Sequence, residues 1–312
     1  MHVKMIASDL KNYLTDSAPF EARVHSIFKD VINLIDHQGE LITLISENKM
    51  MAPMTLQAPF NRSVVKKMVS DDIVMVTDSK ISFKRLNWQL EFISADIWQA
   101  DFETSALKFD SRIFIECADI IREALLINGD NGGLLPLIKV LEKQLQVEPS
   151  HMNLPKNNTY TEFIEEVFIT LVNHLKNKEY EMLSNILPRF VGFGPGLTPS
   201  SDDFLMGMMI TLYLESTINK QDQTRIREMT EQIYNSCISK TTTVSEAMLK
   251  NASKGRIASA HRNLIETIYS DCGDHVREKA IAVINNGASS GTDFLFGIYC
   301  AQRILLSRAF NR

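Results

Sequence analysis

The sequence predicts an α+β protein, with an N-terminal, mainly antiparallel β lobe followed by a mostly α-helical C-terminal lobe that carries a weak internal helix repeat. Three observations lead there. From about Arg23 to Ile93, short β-branched and aromatic runs alternate with turn residues, which is how strands read. After about Ser111 the apolar residues recur three and four apart, the spacing of a half-buried helix. Near the C-terminus a Ser, Asp, Phe, Leu and Gly pattern appears a second time.

In chain order, the opening MHVKMIASDLKNYLTD mixes charges into a short apolar pattern. It lacks the continuous apolar region of a secretory signal, so no targeting segment is expected. The strands are RVHSIF, VINLI, ELITLI, DIVMVT, KISFKR and NWQLEFI. Asp36-His37-Gln38-Gly39 has the length and late Gly of a hairpin turn, and Pro53 and Pro59 punctuate a longer loop. An antiparallel sheet fits better than βαβ units, which need intervening helices.

RIFIECADIIREALLI and LLPLIKVLEKQLQ are helices separated by the loop NGDNGG. The polar stretch 147–158 holds two prolines and reads as a linker. This places a β-rich lobe ending in two helices at 1–150 and a helical lobe at 151–312. Thr159 with Glu162, and Thr243 with Glu246, fit capping boxes at two helix starts. Further helices follow, including TEFIEEVFITLVNHL, DFLMGMMITLYLES, EMTEQIYNSCI, VSEAMLKNA, REKAIAVI and TDFLFGIYCAQRILL.

Composition narrows the function classes. At 312 residues, with 45% hydrophobic and 23% charged residues, the chain can build about two ordinary cores, which excludes wholesale disorder. A net charge of -5 gives no footprint for nucleic acid or an anionic membrane. No apolar run reaches the roughly 20 residues that span a bilayer. Cys117, Cys237, Cys272 and Cys300 form no C-x-x-C pair and read as buried free thiols, which favours a reducing compartment, the cytoplasm. The seven histidines form no H-E-x-x-H or H-x-H pattern, leaving neutral surface or core roles for His25, His174 and His261.

The most informative stretch runs from Gly192 to Asp203, GFGPGLTPSSDD, straight into an apolar helix. Glycine permits positive φ and close backbone approach, so such a loop can aim N–H groups at an anion beside the positive end of a helix. Phosphate or carboxylate suits it. The stretch is not a Walker A loop, because no Lys follows the glycines, and Leu197 breaks a dinucleotide fingerprint. A tight turn before a capped helix explains the same residues without a ligand.

The repeat favours a site. Ser200, Asp203, Phe204, Leu205 and Gly207 recur as Ser290, Asp293, Phe294, Leu295 and Gly297. Each S-x-x-D reads as a helix cap, and the two helices could cross at their glycines with their N-termini facing one pocket. Lys240 to Ser245 adds hydroxyls at a helix start, and Lys254-Gly255-Arg256 could close over a phosphate, although solvated helix ends explain both. A divalent cation bridged by Asp203 and Asp293 is an alternative, against which stands the thin carboxylate set.

GFGPGLTPSSDDFLMG resembles the G-x-G-x-G-L-T-P-S-x-D-D-x-L-x-G signature of the AllH-like family. The resemblance extends to HSIFKDVINL with LITLI, to T-x-S-x-x-M-L-x-x-A-x-x-G from Thr243 to Gly255, and to SSGTDFLFG. It implies a subunit of a carbamoyltransferase that works with sister subunits in purine or allantoin catabolism. Such an assembly interconverts oxalurate plus phosphate with oxamate plus carbamoyl phosphate, which a carbamate kinase then uses. Ser201 departs from the Gly common in the family and reduces backbone freedom there.

The candidate set is Asp203 and Asp293 as catalytic groups. Gly192, Gly194, Gly196, Thr198, Ser200, Ser201, Asp202, Thr243, Ser245, Ser289, Ser290 and Gly291 are the candidates for substrate or anion binding. Carbamoyl transfer passes through an oxyanionic tetrahedral state, which oriented donors stabilise without a covalent nucleophile. Small anions (carbamoyl phosphate, phosphate, oxamate) and sister subunits are the expected partners, with no nucleic acid, membrane, metal or cofactor. The alternatives are a noncatalytic anion-binding or scaffolding subunit, and a stand-alone enzyme acting on another carbamoyl or phosphate compound.

Overall fold

A computed structural model describes residues 1–60, 62–148, 152–270 and 273–310. The chain divides into two compact units, Met1–Phe102 with Arg256–Ser259, and Glu103–Gly255 with Ala260–Arg312.

The first unit contains β1 (Met5–Ala7), α1 (Ser8–Ser17), β2 (Phe20–Ile27), β3 (Val31–Asp36), β4 (Leu41–Ile45) and β5 (Thr55–Gln57). It continues with α2 (Arg62–Val65), β6 (Ile73–Val76), β7 (Lys80–Phe83), β8 (Trp88–Glu91) and β9 (Asp96–Trp98). The strands form one sheet in the order β8-β7-β6-β2-β3-β4-β5-β1-β9. Pairing is antiparallel except for β4 with β5 and β1 with β9.

The first residues run beside β8, where Val3 N–H donates to Glu91 O at 2.8 Å and Glu91 N–H to Met1 O at 2.8 Å. The same segment then enters β1 near the other end of the sheet, so the sheet curls until its two ends are stitched together. Strand β2 alternates as expected, with Phe20, Ala22 and Val24 buried and Glu21 and Arg23 exposed. The turn after β3 is held by the Asp36 carboxylate, which accepts from Gln38 N–H at 2.8 Å and Glu40 N–H at 2.9 Å.

All six strands read from the sequence are present. The elements the sequence hid are β1, α1, α2, β5 and β9. Three residues are too few for alternation to register. Helix α1 buries Asp9, Leu10 and Leu14 within an otherwise polar run. Asp9 earns its buried place by accepting from the backbone N–H groups of Leu10 at 2.9 Å and Met54 at 3.2 Å.

The second unit holds α3 (Ser111–Asn128), α4 (Ile138–Leu145), α5 (Thr159–Asn177), α6 (Leu187–Phe190), α7 (Ser200–Asn219) and α8 (Gln223–Cys237). It continues with α9 (Thr243–Ser253), α10 (Ser259–Ile268), α11 (Asp274–Ile284) and α12 (Ser290–Phe310). Helices α7 and α12 lie side by side at its centre, with α8 and α9 against α7, and α3, α4, α5 and α11 against α12. Both are buried on nearly every face over their first halves, and a helix that is apolar all round belongs in an interior.

Whereas the sequence places a boundary within 147–158, packing divides the chain between Phe102 and Glu103, and α3 and α4 pack with the later helices. The physical reason is a buried polar anchor. Glu142 of α4 takes Arg122 of α3 at 2.6 Å and the Tyr299 hydroxyl of α12 at 2.8 Å, and a buried charge needs such partners.

Two caps differ from expectation by one residue. Asn158, with Thr161, forms the box at α5, and Thr242 accepts from Ser245 N–H at 3.1 Å at α9. Cys117, Cys237 and Cys300 are buried thiols outside any disulfide, and Cys272 lies outside the described residues. Among the described residues no helix is long and apolar enough to cross a membrane.

Candidate functional site

The glycine loop gets its shape from contacts that only glycine tolerates. Gly192, Gly194 and Gly196 all have positive φ, at 72°, 112° and 102°. A Cβ on Gly192 would lie 2.4 Å from Lys240 O, and one on Gly194 2.8 Å from the Ser200 Cβ. The start of α7 clasps the loop, since Phe193 N–H donates to Ser201 Oγ at 2.8 Å and Ser201 N–H returns to Phe193 O at 3.0 Å. Asp202 accepts from Gly192 N–H at 2.8 Å and from the Thr241 hydroxyl. Thr242 Oγ1 donates to Leu197 O at 2.7 Å.

Ser201 and Asp202 are thus engaged in building the loop. Among the described residues, the N–H groups of Gly194, Gly196, Leu197 and Thr198 donate to no protein acceptor. Amides held open beside a helix start suit an anion.

The two helix starts meet. Ser200 Oγ lies 3.4 Å from Ser289 Oγ, and Thr198 Oγ1 donates to Ser290 Oγ at 3.4 Å. Further along, a Cβ on Gly207 would fall 2.0 Å from Phe294 O, and one on Gly297 2.0 Å from Phe204 O. The crossing is therefore reciprocal, each glycine seated on the other helix's backbone. Ser200 does not act as the expected side-chain cap, because α7 begins behind Pro199 without one. Its hydroxyl faces the other helix start instead.

Two acids sit at this junction, Asp203 at 2% and Asp293 at 0% exposure. Asp293 Oδ1 accepts from Leu134 N–H at 2.7 Å, and a Cβ on Gly133 would lie 2.2 Å from its Oδ2. The same loop is tied down by Asp130 N–H to Thr292 Oγ1 at 3.0 Å and by Asn158 Nδ2 to Gly133 O at 2.8 Å. Oδ2 of Asp203 and Oδ2 of Asp293 have no hydrogen-bond partner among the described residues.

Burial pushes the Asp203 carboxyl well above the usual carboxylate range, opposed by the Ser290 and Thr198 hydroxyls and aided by the charges of Asp293 and Asp202. Burial likewise raises Asp293 to about 7, against the Ser200 hydroxyl and the Leu134 N–H. Asp202 is raised by burial too, with Thr241 and Gly192 opposing. Buried acids of this kind can hold or deliver a proton near neutral pH.

A pH dependence follows from Asp293. Between its ordinary 3.8 and about 7 the folded chain binds the proton that the unfolded chain has lost. Its contribution is fully present below that window, and stability falls as pH rises through it. Asp293→Asn stays neutral throughout. The variant is expected to show a flatter melting temperature between about pH 4 and about pH 8, and stability at the upper end at least equal to wild type. Parallel profiles for the two proteins in a thermal melt series would refute this.

Of the candidates, Gly194, Gly196, Thr198, Ser200, Asp203, Ser289, Ser290 and Asp293 come together, while Gly192 packs on Lys240 O and gives its N–H to Asp202. Gly291 serves packing, since a Cβ there would lie 1.8 Å from Val283 O of α11. Thr243 opens the first turn of α9, and Ser245, buried, lies beside Asp202. Arg256 pairs with Asp101 at 2.7 Å within the first unit. His261 is buried against the Phe294 ring at 4.1 Å between centroids, and burial holds it neutral, down to about 4. No cluster of three or more metal-type side chains occurs among the described residues.

The sequence reading missed Thr241, Gly133 and the Leu134 N–H. The paired glycines of NGDNGG were the available signal for the last two.

Fold and site together define an α+β protein of two units, whose helical unit presents open loop amides and buried acids where two helix starts meet. Residues 190–302 match the family model for oxamate carbamoyltransferase subunit AllH, and residues 2–97 match the AllH family N-terminal domain. The chain belongs to the AllH family. No solved structure matches it.

Proposed function

We propose that this chain contributes the transfer site, or part of it, to a carbamoyltransferase assembly that interconverts oxalurate plus phosphate with oxamate plus carbamoyl phosphate in purine or allantoin catabolism. The family is that of a subunit, so sister subunits belong to this reading. The buried thiols suit a reducing compartment, the cytoplasm. The observation that carries the proposal is the set of open amides at Gly194, Gly196, Leu197 and Thr198 beside the buried Asp203.

In this mechanism the loop amides and the Thr198, Ser200 and Ser290 hydroxyls hold phosphate. A phosphate oxygen attacks the carbamoyl carbon of oxalurate, and a tetrahedral oxyanion forms. The carbon–nitrogen bond to oxamate breaks as that nitrogen takes a proton from neutral Asp203. The proton carried by the attacking hydrogen phosphate passes to the Asp203 carboxylate and restores the neutral acid, and the reverse direction runs the same two transfers backwards. Donors fixed before the reaction stabilise the oxyanion without reorganising.

Titration calorimetry with phosphate, oxamate and carbamoyl phosphate tests the site, in the isolated chain and in its assembly. Dissociation constants of roughly 1 μM to 1 mM are expected, the ordinary range for metabolites. No heat from any of the three in either form sinks the proposal. A noncatalytic anion-binding or scaffolding role is the second reading, favoured by the internal bonding of Ser201 and Asp202. It predicts binding or assembly with turnover indifferent to Asp203.

A further inference from the structure

We infer that Asp203 recognises the carbamoyl group itself, its carboxyl pairing edge to edge with the ligand's –CO–NH2, because the chain donates a backbone N–H to the matching acid, Asp293, and none to Asp203. This rests on the proposed carbamoyl transfer and assigns the substrate feature that the site reads.

The two half-sites share their helix crossing. Hydroxyls from each helix start reach the other, and Gly207 and Gly297 exchange equivalent contacts with Phe294 O and Phe204 O. Equal surroundings would give the two acids equal partners. They do not have them. Asp293 Oδ1 receives the Leu134 N–H at 2.7 Å, and Gly133 lies against the same carboxyl. Among the described residues no backbone N–H is donated to the Asp203 carboxyl, whose Oδ2, like that of Asp293, is buried without a partner, so the Leu134 N–H is what separates the two acids. A buried acceptor left unmet costs more than a hydrogen bond made there returns, so the position favours a ligand that meets it.

The group missing at Asp203 is a planar amide N–H, which is what Leu134 brings to Asp293. A primary amide or carbamoyl group carries that N–H next to a carbonyl oxygen. A neutral carboxyl carries an O–H next to a carbonyl oxygen. The two edges match in two coplanar hydrogen bonds, and burial favours the neutral form of the Asp203 carboxyl. The open loop amides then take the phosphate end of the same ligand.

Acetyl phosphate separates the two functions, because it keeps the phosphate and the carbonyl and replaces NH2 by CH3. Its affinity, with those of inorganic phosphate and carbamoyl phosphate, is to be measured by calorimetry on the full chain in its assembly. Carbamoyl phosphate is expected to bind about tenfold to a hundredfold more tightly than acetyl phosphate. Asp203→Leu should bring that ratio to about one while phosphate affinity changes by less than about threefold.

Asp203→Asn, whose side chain also offers one donor beside one acceptor, should retain most of the preference. Equal binding of the two acyl phosphates by wild type overturns the inference and leaves the anion site standing. So does a preference that survives in Asp203→Leu. Failure of all three probes removes the proposed function instead. The wild-type comparison stands even if Asp203→Leu does not fold.

Discussion

Asp203→Asn is expected to lower turnover by about a hundredfold to ten-thousandfold in the reconstituted assembly, with assembly itself intact. General acid catalysis by a positioned side chain is worth about that much. The carboxyl is 2% exposed and raised well above the usual carboxylate range chiefly by burial, which favours the protonated form that the proposed transfer to the leaving oxamate nitrogen uses. The carboxamide has the same shape and keeps one donor and one acceptor, but it cannot give up a proton. The loss should therefore fall on kcat, with KM for carbamoyl phosphate moving little. Steady-state rates alongside size-exclusion profiles make the measurement. Unchanged kcat in an intact assembly takes Asp203 out of the chemistry and favours the noncatalytic reading.

Gly207→Ala and Gly297→Ala are expected to destabilise the fold by roughly 2–3 kcal/mol each, the range for overpacking a well-filled interior. A Cβ at either position would lie 2.0 Å from a backbone carbonyl oxygen of the opposite helix, and a backbone cannot swing aside as a side chain can. The helices must part, and the Ser200–Ser289 and Thr198–Ser290 contacts at their starts part with them. Gly196→Ala is the control. It has positive φ, but a Cβ there meets nothing nearer than 3.5 Å, so only about 1 kcal/mol of backbone strain is expected. Urea denaturation ranks the three. A Gly207→Ala protein as stable as the Gly196→Ala protein would contradict the close crossing.

What the sequence disclosed, it disclosed locally. The strands from Arg23 to Ile93 and the long helices were legible because each spans enough residues for its period to repeat. The loop glycines were legible because their spacing lies within a dozen residues, and the second Ser-x-x-Asp because it repeats the same residue types at a constant offset. Strands β5 and β9 were too short to alternate, and their parallel partners lie elsewhere in the chain. Leu134 and Asp293 stand 159 residues apart, and a backbone N–H leaves no mark on residue identity. Ser201 and Asp202 have the residue types of ligand-binding groups, yet they fasten the loop, a distinction that only bond partners reveal. The linker at 147–158 looked like a division by composition, while the buried Glu142 anchor ties the helices before it to α12.

The crossing of α7 and α12 has the form of a symmetric dimer interface, in which one patch meets a copy of itself, yet both copies belong to one polypeptide. Two identical subunits joined this way would present a pocket whose halves could never differ. Joining the copies in a single chain releases that constraint, and here a distant loop gives one acid a backbone N–H that the other lacks. A transfer reaction has unlike groups at its two ends, so a pocket with unlike halves has a direction in which a substrate can lie. That polarity is something a true twofold interface could not offer.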